Sequence, residues 1–409
     1  MFSARRRVSS AAGGSWPGAR ARYGWLCLWA FVWVLIQLAC LHHFGVRVQS
    51  DSPRYLSAAA KIVSGDFPSG KASSYLGYDC FVAAFEGLGL GVKWIAAAQC
   101  TVAFIALTLL YGLGARLYDH RVGLTAVVVL TLFPDASYWH GAILADSLYS
   151  SMIIISSWLL ISASSILTVL AAAIVFCFTC TIRPHGVGFA VSGVIFLLCR
   201  LAHGRRYGVL AVVLVCLAFA APFAWEVLGS MAGHEDILHH YVEGTVIWGY
   251  SPANIAAPAA ADPGGYKGSL HPVQGIAMYL VKEPAHFWAL AWHRIGYFLL
   301  HTRPYFAVYH NLSSLLVLLP AYAFALWSLV AARSSPRCAK VLLVSTLTAQ
   351  TAIVAVTFAD WDGRHLIPVL SIVFLLASAG FWNIVDRRRR PARRDPLMGR
   401  GQERLSRLA

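Results

Sequence analysis

The amino-acid sequence predicts an all-α polytopic membrane protein with about ten transmembrane helices and two outer loops that carry interfacial helices. The 409 residues are 58% hydrophobic and only 12% charged, with a mean hydropathy of +0.63. Soluble domains average about 45–50% apolar and about 25% charged residues. Apolar segments of spanning length recur along the chain, and the basic residues cluster between alternate segments. These observations exclude an ordinary soluble domain.

The predicted domain organisation is one transmembrane domain, about 23–384, between two basic tails, 1–22 and 385–409. The outer loops span about 45–92 and 229–305. Within the first loop, the apolar stretch 81–90 is too short to span and is expected to lie along the interface. The predicted spans are 23–44, 94–118, 122–140, 145–163, 165–182, 185–200, 207–228, 306–332, 341–358 and 365–384.

The distribution of charge predicts the orientation. With the N-terminus in the cytoplasm, the inner segments carry 22 of the 33 Lys and Arg residues, whereas the outer segments carry 14 of the 18 Asp and Glu residues. This asymmetry follows the positive-inside rule. The net charge of +15 is therefore a topology signal, and no nucleic-acid partner is expected. The sequence predicts a multi-pass protein of the cell inner membrane with both termini cytoplasmic.

The first outer loop opens with Ser50-Asp51-Ser52-Pro53-Arg54-Tyr55. Ser52 suits an N-cap, Pro53 suits the first helical position and Gly65 suits the stop, which predicts a helix at about 53–64. Asp51 then lies just outside the positive end of the helix dipole, where the ionised carboxylate is favoured. There it could accept a proton from a hydroxyl, or it could be a capping or surface aspartate. Tyr55, one turn on, could line the same pocket.

Two further aspartates, Asp135 and Asp146, lie at the outer end of the third and fourth spans. Charged residues at membrane depth usually face a cavity or a partner, so both could face the same cavity as Asp51. Alternatively they cap helix ends at the headgroup level. Asp146 could orient an acceptor or bind a metal. A divalent metal is therefore possible, although no residue is assigned as a ligand, and the run 234–240 lacks the spacing of a standard zinc motif.

Arginines recur in the outer turns. Arg183 stands in Arg183-Pro184-His185-Gly186, and Arg364 stands with Asp362 in the turn 360–368. An arginine at the rim of a span can anchor to lipid phosphate or bind a substrate phosphate in a bidentate manner. Arg303 and Arg294 are further candidates for substrate binding.

Four of these features together resemble the GT-C superfamily of membrane glycosyltransferases, in particular the relatives of protein O-mannosyltransferases and lipid A aminoarabinose transferases (glycosyltransferase family 39-like). They are Asp51 in SDSPRY, the spacing of Pro134 and Asp146, the RPHG turn at Arg183, and the DGRHLIP turn at 362–368. All four occur on one face of the predicted topology.

The resemblance implies that Asp51 is the catalytic base. It also implies a polyprenyl-phosphate-linked sugar as donor, bound between spans and outer loops, and inversion at the anomeric carbon. The chemistry is consistent with this assignment, because negative charge builds on the departing phosphate and arginines near that oxygen stabilise it. The acceptor would be a lipid, glycan or protein, reached among membrane lipids on the periplasmic or extracellular face.

No nucleotide cofactor is expected, because the sequence contains neither a GxGxxG nor a Walker A motif and no cytoplasmic segment is long enough for a nucleotide-sugar domain. Two other functions remain open. An O-antigen-type polymerase or ligase would use pyrophosphate-linked donors. A lipid or glycan transporter would need ionisable residues near the bilayer midplane and paired broken helices.

Overall fold

The computed structural model describes residues 19–49, 51–234, 236–256, 271–331 and 337–389. Most of both predicted basic tails lies outside these ranges, as do Ser50, Glu235 and the stretch 257–270. The described residues form α-helices, short 3₁₀ turns and two isolated β-bridges.

Sixteen α-helices follow one another along the described part of the chain. In chain order they are α1 Ala19–Phe44, α2 Ser52–Val63, α3 Leu76–Glu86, α4 Val92–Leu117, α5 His120–Leu132, α6 Pro134–Tyr138, α7 Ala145–Ser162, α8 Ile166–Thr181, α9 Gly186–His203, α10 Tyr207–His234, α11 Ile237–Val242, α12 Pro272–Lys282, α13 Pro284–Leu300, α14 Val308–Ala331, α15 Arg337–Val356 and α16 Ile367–Arg389.

Seven of the described helices are long and apolar enough to cross a bilayer: α1, α4, α7, α9, α14, α15 and α16. An eighth crossing is reached if α5 and the segment Pro134–Gly141 form one span, which is bent by 73°. The prediction of a polytopic α-helical membrane protein is therefore confirmed at this level. The bend follows from Pro134, which has no amide hydrogen for the helix and disfavours the helical conformation of Phe133 before it.

Helix α16 lies at the centre of the bundle. Every residue from Ile367 to Gly380 is buried, and the helix packs against α4, α5, α7, α14 and α15. At Gly380 the backbone of α14 comes so close that a Cβ atom would overlap the carbonyl of Phe324. Small residues allow such close approach of helices in membrane proteins. The turn 360–366, which precedes α16, is consequently fixed to the most buried helix.

The outer ends of the helices are joined by short backbone contacts. Arg47 bridges to Ala142, which connects the first outer loop to the segment before α7. Ile247 bridges to Ala359, which connects the second outer loop to the turn before α16. Helices α2 and α3 pack together beside these contacts. The first outer loop therefore meets the segment that leads into α7, and the second outer loop meets the turn that leads into α16.

Candidate functional site

Asp51 occupies the N-cap position of α2, one residue earlier than predicted, and its side chain makes no capping hydrogen bond. Its carboxylate instead contacts Arg364 Nη2 at 3.1 Å and Arg54 Nη2 at 3.7 Å. Ser52, the predicted N-cap, is held elsewhere: its hydroxyl accepts from the Gln49 amide at 2.8 Å and donates to the Ile143 carbonyl at 2.9 Å. Gly65 ends the helix as predicted, with a φ of +91°. The contacts of Ser52 direct Asp51 towards Arg364.

Arg364 is the centre of the charged cluster. Its guanidinium contacts Asp51, Asp146 Oδ2 at 3.8 Å and Asp360 Oδ2 at 2.5 Å. Gly363 allows the turn to bring these groups together, because its φ of +77° is one that other residues rarely adopt. Several carboxylates share this guanidinium and fix its orientation. Burial alone would lower the pKa of Arg364, but the neighbouring carboxylates raise this pKa above its ordinary value.

The two acids of the turn, Asp360 and Asp362, have pKa values that are shifted in opposite directions. Burial raises the pKa of Asp360, but the charges of Arg364 and His365 outweigh burial, so this pKa lies below its usual value. Burial and the neighbouring Asp360 raise the pKa of Asp362 to about 8. Asp360 is therefore the ionised partner of Arg364, and Asp362 carries a proton near neutral pH.

Asp146 connects the turn that contains Arg183 with the turn that contains Arg364. It is 1% exposed in the first turn of α7, and its carboxylate pairs with Arg183 as well as with Arg364. A second link is made by Gln350, whose amide donates to His185 Nδ1 at 3.0 Å and to the His365 carbonyl at 3.1 Å. The RPHG and DGRH turns, which begin at Arg183 and Asp362, are thus held side by side.

These groups surround a cavity of about 430 Å³. Part of its lining, the polar wall, contains four cationic side chains and two carboxylates, and another part, the apolar wall, is hydrophobic. The polar wall is formed by Asp51, Arg54, Lys71, Arg183, Asp360 and Arg364, and the apolar wall includes Leu228, Met231, Ala232, Val273, Ile276 and Ile353.

Two arginines of the polar wall each have an unpaired donor. The Nε atoms of Arg54 and Arg183 are buried and have no hydrogen-bond partner among the described residues. An unsatisfied buried donor is costly. The excess of cationic over anionic side chains makes the wall suited to a phosphate group.

The structure separates the predicted residues into two groups. Asp51, Arg183 and Arg364 line the cavity, and Asp146 lies directly behind the two arginines. Tyr55 does not line it; the residue is buried behind Tyr75, with ring centroids 5.3 Å apart. Asp362 also lies outside the lining and accepts from the Arg364 amide at 3.2 Å.

Arg303 and Arg294 are likewise outside the lining of the cavity. Arg303 is buried and donates to backbone carbonyls, to Asp360 at 2.9 Å from Nε and to Tyr297 at 2.7 Å from Nη1. Arg294 is fully buried and donates to the Thr245 carbonyl at 2.7 Å. Both guanidiniums are used to satisfy backbone acceptors, so these arginines hold the second outer loop and the turn at 360 in place.

The sequence interpretation missed Arg54, Lys71, Tyr75 and His185 as cavity residues. The spacing of Arg54, three residues after Asp51 on a predicted helix, could have identified it, since such residues share a helix face. Its guanidinium lies over the ring of Tyr75, 4.4 Å from the centroid. Lys71 and Tyr75 lie on a 3₁₀ turn, Gly70–Tyr75, that no sequence pattern places.

Asp135 does not share the cavity of Asp51. It contacts His301 and His310 instead, with Oδ2 2.7 Å and 2.9 Å from their Nε2 atoms. The two aspartates of the third and fourth spans, Asp135 and Asp146, therefore belong to different clusters.

A buried acid behind the cavity gives a test of the fold by pH. Asp79 lies on α3, neither carboxylate oxygen has a hydrogen-bond partner among the described residues, and burial raises its pKa from 3.8 to about 7 against the opposing charge of Arg54. Between these pH values the folded chain binds a proton that the unfolded chain has released. The free energy of unfolding must therefore fall as pH rises through this window.

We expect Asp79→Asn to remove this dependence, because the amide does not titrate. Relative to the parent, the variant should gain on the order of 1–2 kcal/mol between pH 5 and pH 8, after allowance for solvent screening. Thermal midpoints of the purified protein across this range measure the effect. Asp66→Asn, at an exposed position of the same loop, is the control. Parallel pH profiles for the parent and Asp79→Asn would contradict the assignment.

No protein-family model, no curated protein and no solved structure matches this chain. Function is therefore inferred from the geometry and chemistry of the site.

Proposed function

We propose that this chain is a membrane glycosyltransferase of the GT-C type that moves a sugar from a polyprenyl-phosphate donor to an acceptor on the periplasmic or extracellular face. In this proposal the chain crosses the membrane about ten times, with α8 and α10 as spans beside the seven long helices and the bent α5–α6 pair. Both termini are then cytoplasmic, and the cavity opens on the opposite side of the inner membrane.

The observation that carries the proposal is the position of Asp51 relative to the cations. Four carboxylates lie within 4 Å of the Arg364 guanidinium, and Asp51 is 33% exposed, whereas Asp146, Asp360 and Asp362 are 1%, 3% and 9% exposed. Asp51 alone among them is accessible to an incoming hydroxyl. A base beside an anion-binding wall is the arrangement that transfer from a phosphate-linked sugar requires.

The proposed reaction assigns one role to each wall of the cavity. Asp51 accepts the proton of the acceptor hydroxyl, the acceptor oxygen bonds to the anomeric carbon from the face opposite the phosphate, and the bond to the phosphate oxygen breaks. The charge that builds on that oxygen is stabilised by Arg183, with Arg54 and Arg364 beside it. Asp146 is a positioning residue that holds two of these arginines.

The apolar wall fits the other part of such a donor. Leu228, Met231, Val273, Ile276 and Ile353 face the same hollow as the arginines. A polyprenyl chain would contact them while its phosphate reaches the polar wall. A free sugar phosphate would leave this apolar surface in contact with water, so a lipid-linked donor is favoured.

The alternatives differ in what they require of the site. A pyrophosphate-linked donor, as used by polymerases and ligases, would also be bound by four cations. A transporter is less favoured, since the described charges of the cavity gather at the outer helix ends and pair with one another rather than lining a path near the midplane.

Mass analysis of envelope glycans and lipids from cells with and without the protein tests the proposal. We expect one sugar to be missing from a glycan, lipid or protein and its polyprenyl-monophosphate form to accumulate. Accumulation of a pyrophosphate-linked saccharide would instead indicate a polymerase or ligase. Unchanged glycans and donor pools, with uptake of an unmodified lipid into sealed vesicles, would indicate transport and refute the transferase.

A further inference from the structure

We propose that Asp135, His301 and His310 form a binding site for one divalent transition-metal ion, with zinc as the preferred metal. The three side chains come from separate elements: the first turn of α6, the residue after α13 and the first turn of α14. Their ligand atoms all lie within 4.8 Å of one another. The proposal does not depend on the transferase activity, because it concerns a different cluster and is tested by binding.

The geometry is close to that of a three-ligand metal site. Asp135 Oδ2 is 2.7 Å from His301 Nε2 and 2.9 Å from His310 Nε2. Zinc binds imidazole nitrogen at about 2.0–2.1 Å and carboxylate oxygen at about 2.0–2.2 Å, which places tetrahedral ligands roughly 3.3 Å apart. A widening of about half an ångström brings these two distances to the tetrahedral spacing, and the imidazoles then exchange their hydrogen bonds to Asp135 for bonds to the metal.

The ligand set favours zinc over the common hard cations. Two imidazoles and one carboxylate suit Zn²⁺ and related transition metals, whereas Mg²⁺ and Ca²⁺ prefer oxygen ligands alone. Three protein ligands leave a fourth position for water. Asp135 and His310 are 21% and 28% exposed, so the site is open to the outer solution and an ion can enter it.

The surrounding residues hold two of the ligands in place. Phe306 stacks on the His310 ring with centroids 4.5 Å apart. His301 is 1% exposed in a left-handed backbone conformation, with a φ of +54°. Its ring lies against Gly363, where an added Cβ atom would come within 2.5 Å of Cε1. A left-handed backbone is unfavourable for a residue with a β-carbon, and Gly363 makes room for the ring. Both features indicate that this imidazole has a fixed position.

The contact with Gly363 gives the metal a structural role. His301 touches the residue next to Arg364, so an ion on His301 would connect α6, the α13–α14 junction and the turn before α16. A metal that crosslinks such outer segments stabilises the folded state by mass action. The ion would support the cavity wall from behind.

Zinc binding to the purified full-length protein tests the inference. The protein is treated with a chelator, dialysed and titrated with zinc chloride in competition with a fluorescent zinc indicator. We expect one zinc ion per chain, a rise in the thermal midpoint of the parent protein, and visible absorption typical of tetrahedral Co²⁺ after cobalt replacement. Asp135→Asn and His310→Ala should each weaken zinc binding by at least about tenfold.

His293→Ala is the matched control, because His293 is an exposed histidine of the same outer region. Zinc binding by this variant should equal that of the parent. A parent protein that binds no zinc and shows no thermal shift would overturn the proposal. Parent-like zinc affinity in both ligand variants would also overturn it, since the cluster would then be a set of hydrogen bonds only. The thermal shift of the parent keeps the test decisive if a variant fails to fold.

Discussion

Asp51→Asn should lower the rate of sugar transfer by about 10²–10⁴-fold, the usual contribution of a general base, while expression and membrane insertion stay normal. The amide keeps the size of the side chain but cannot accept the acceptor proton. Arg364 would still contact Asp146 and Asp360, so the turn should keep its position. Initial rates with saturating donor, measured on equal amounts of purified protein, give the comparison.

Asp66→Asn is the appropriate control for this change. Asp66 is an exposed aspartate of the same outer loop, and it does not line the cavity. Its replacement should leave the rate within the error of the parent. Near-normal transfer by Asp51→Asn would remove Asp51 from its role as base.

Arg364→Lys should reduce transfer by about 10²–10³-fold, the loss typical of a missing electrostatic stabiliser. Lysine keeps one positive charge but cannot contact Asp51, Asp146 and Asp360 together, since its ammonium lacks the planar fork of arginine. We expect kcat to fall more than the donor KM rises if the arginine acts mainly on the departing phosphate. Steady-state kinetics with varied donor separate the two parameters.

Arg303→Lys is a matched control for Arg364→Lys. Arg303 is also buried and also bonds to Asp360, through the backbone carbonyl rather than the carboxylate. Its replacement should lower the thermal midpoint while leaving the donor KM of the surviving protein unchanged. If the transfer rate of both variants fell in proportion to their loss of stability, Arg364 would be needed only for folding.

Much of the fold could be predicted from hydropathy, because the bilayer requires long apolar helices. The orientation that the positive-inside rule indicates stays a prediction. The span predicted at 122–140 is the main departure. Its composition is apolar throughout, but Pro134 divides it into α5 and the bent segment Pro134–Gly141. Hydropathy averages over such a break, whereas the local backbone restriction at Phe133 decides the geometry.

The candidate site was only partly predictable. Alternating topology places Asp51, Arg183 and Arg364 on one face, and the structure gathers them around one cavity. Arg303 lies on the same face, yet its guanidinium points into the protein and satisfies carbonyl groups. The direction of a long side chain depends on which backbone acceptors tertiary packing leaves unpaired, and a sequence contains no local signal for this. The roles assigned to these residues remain predictions.

The burial of α16 has a consequence for how the protein responds to its lipid environment. A helix that touches lipid can tilt when the hydrocarbon layer becomes thinner or thicker. Helix α1 has only a minor part of its surface covered by protein, whereas most of α16 is covered. A difference between the bilayer thickness and the hydrophobic length of the protein is therefore accommodated first by the peripheral helices. The guanidinium of Arg364, carried by the turn that precedes the enclosed helix, should keep its distance to neighbouring acids across bilayers of different acyl-chain length.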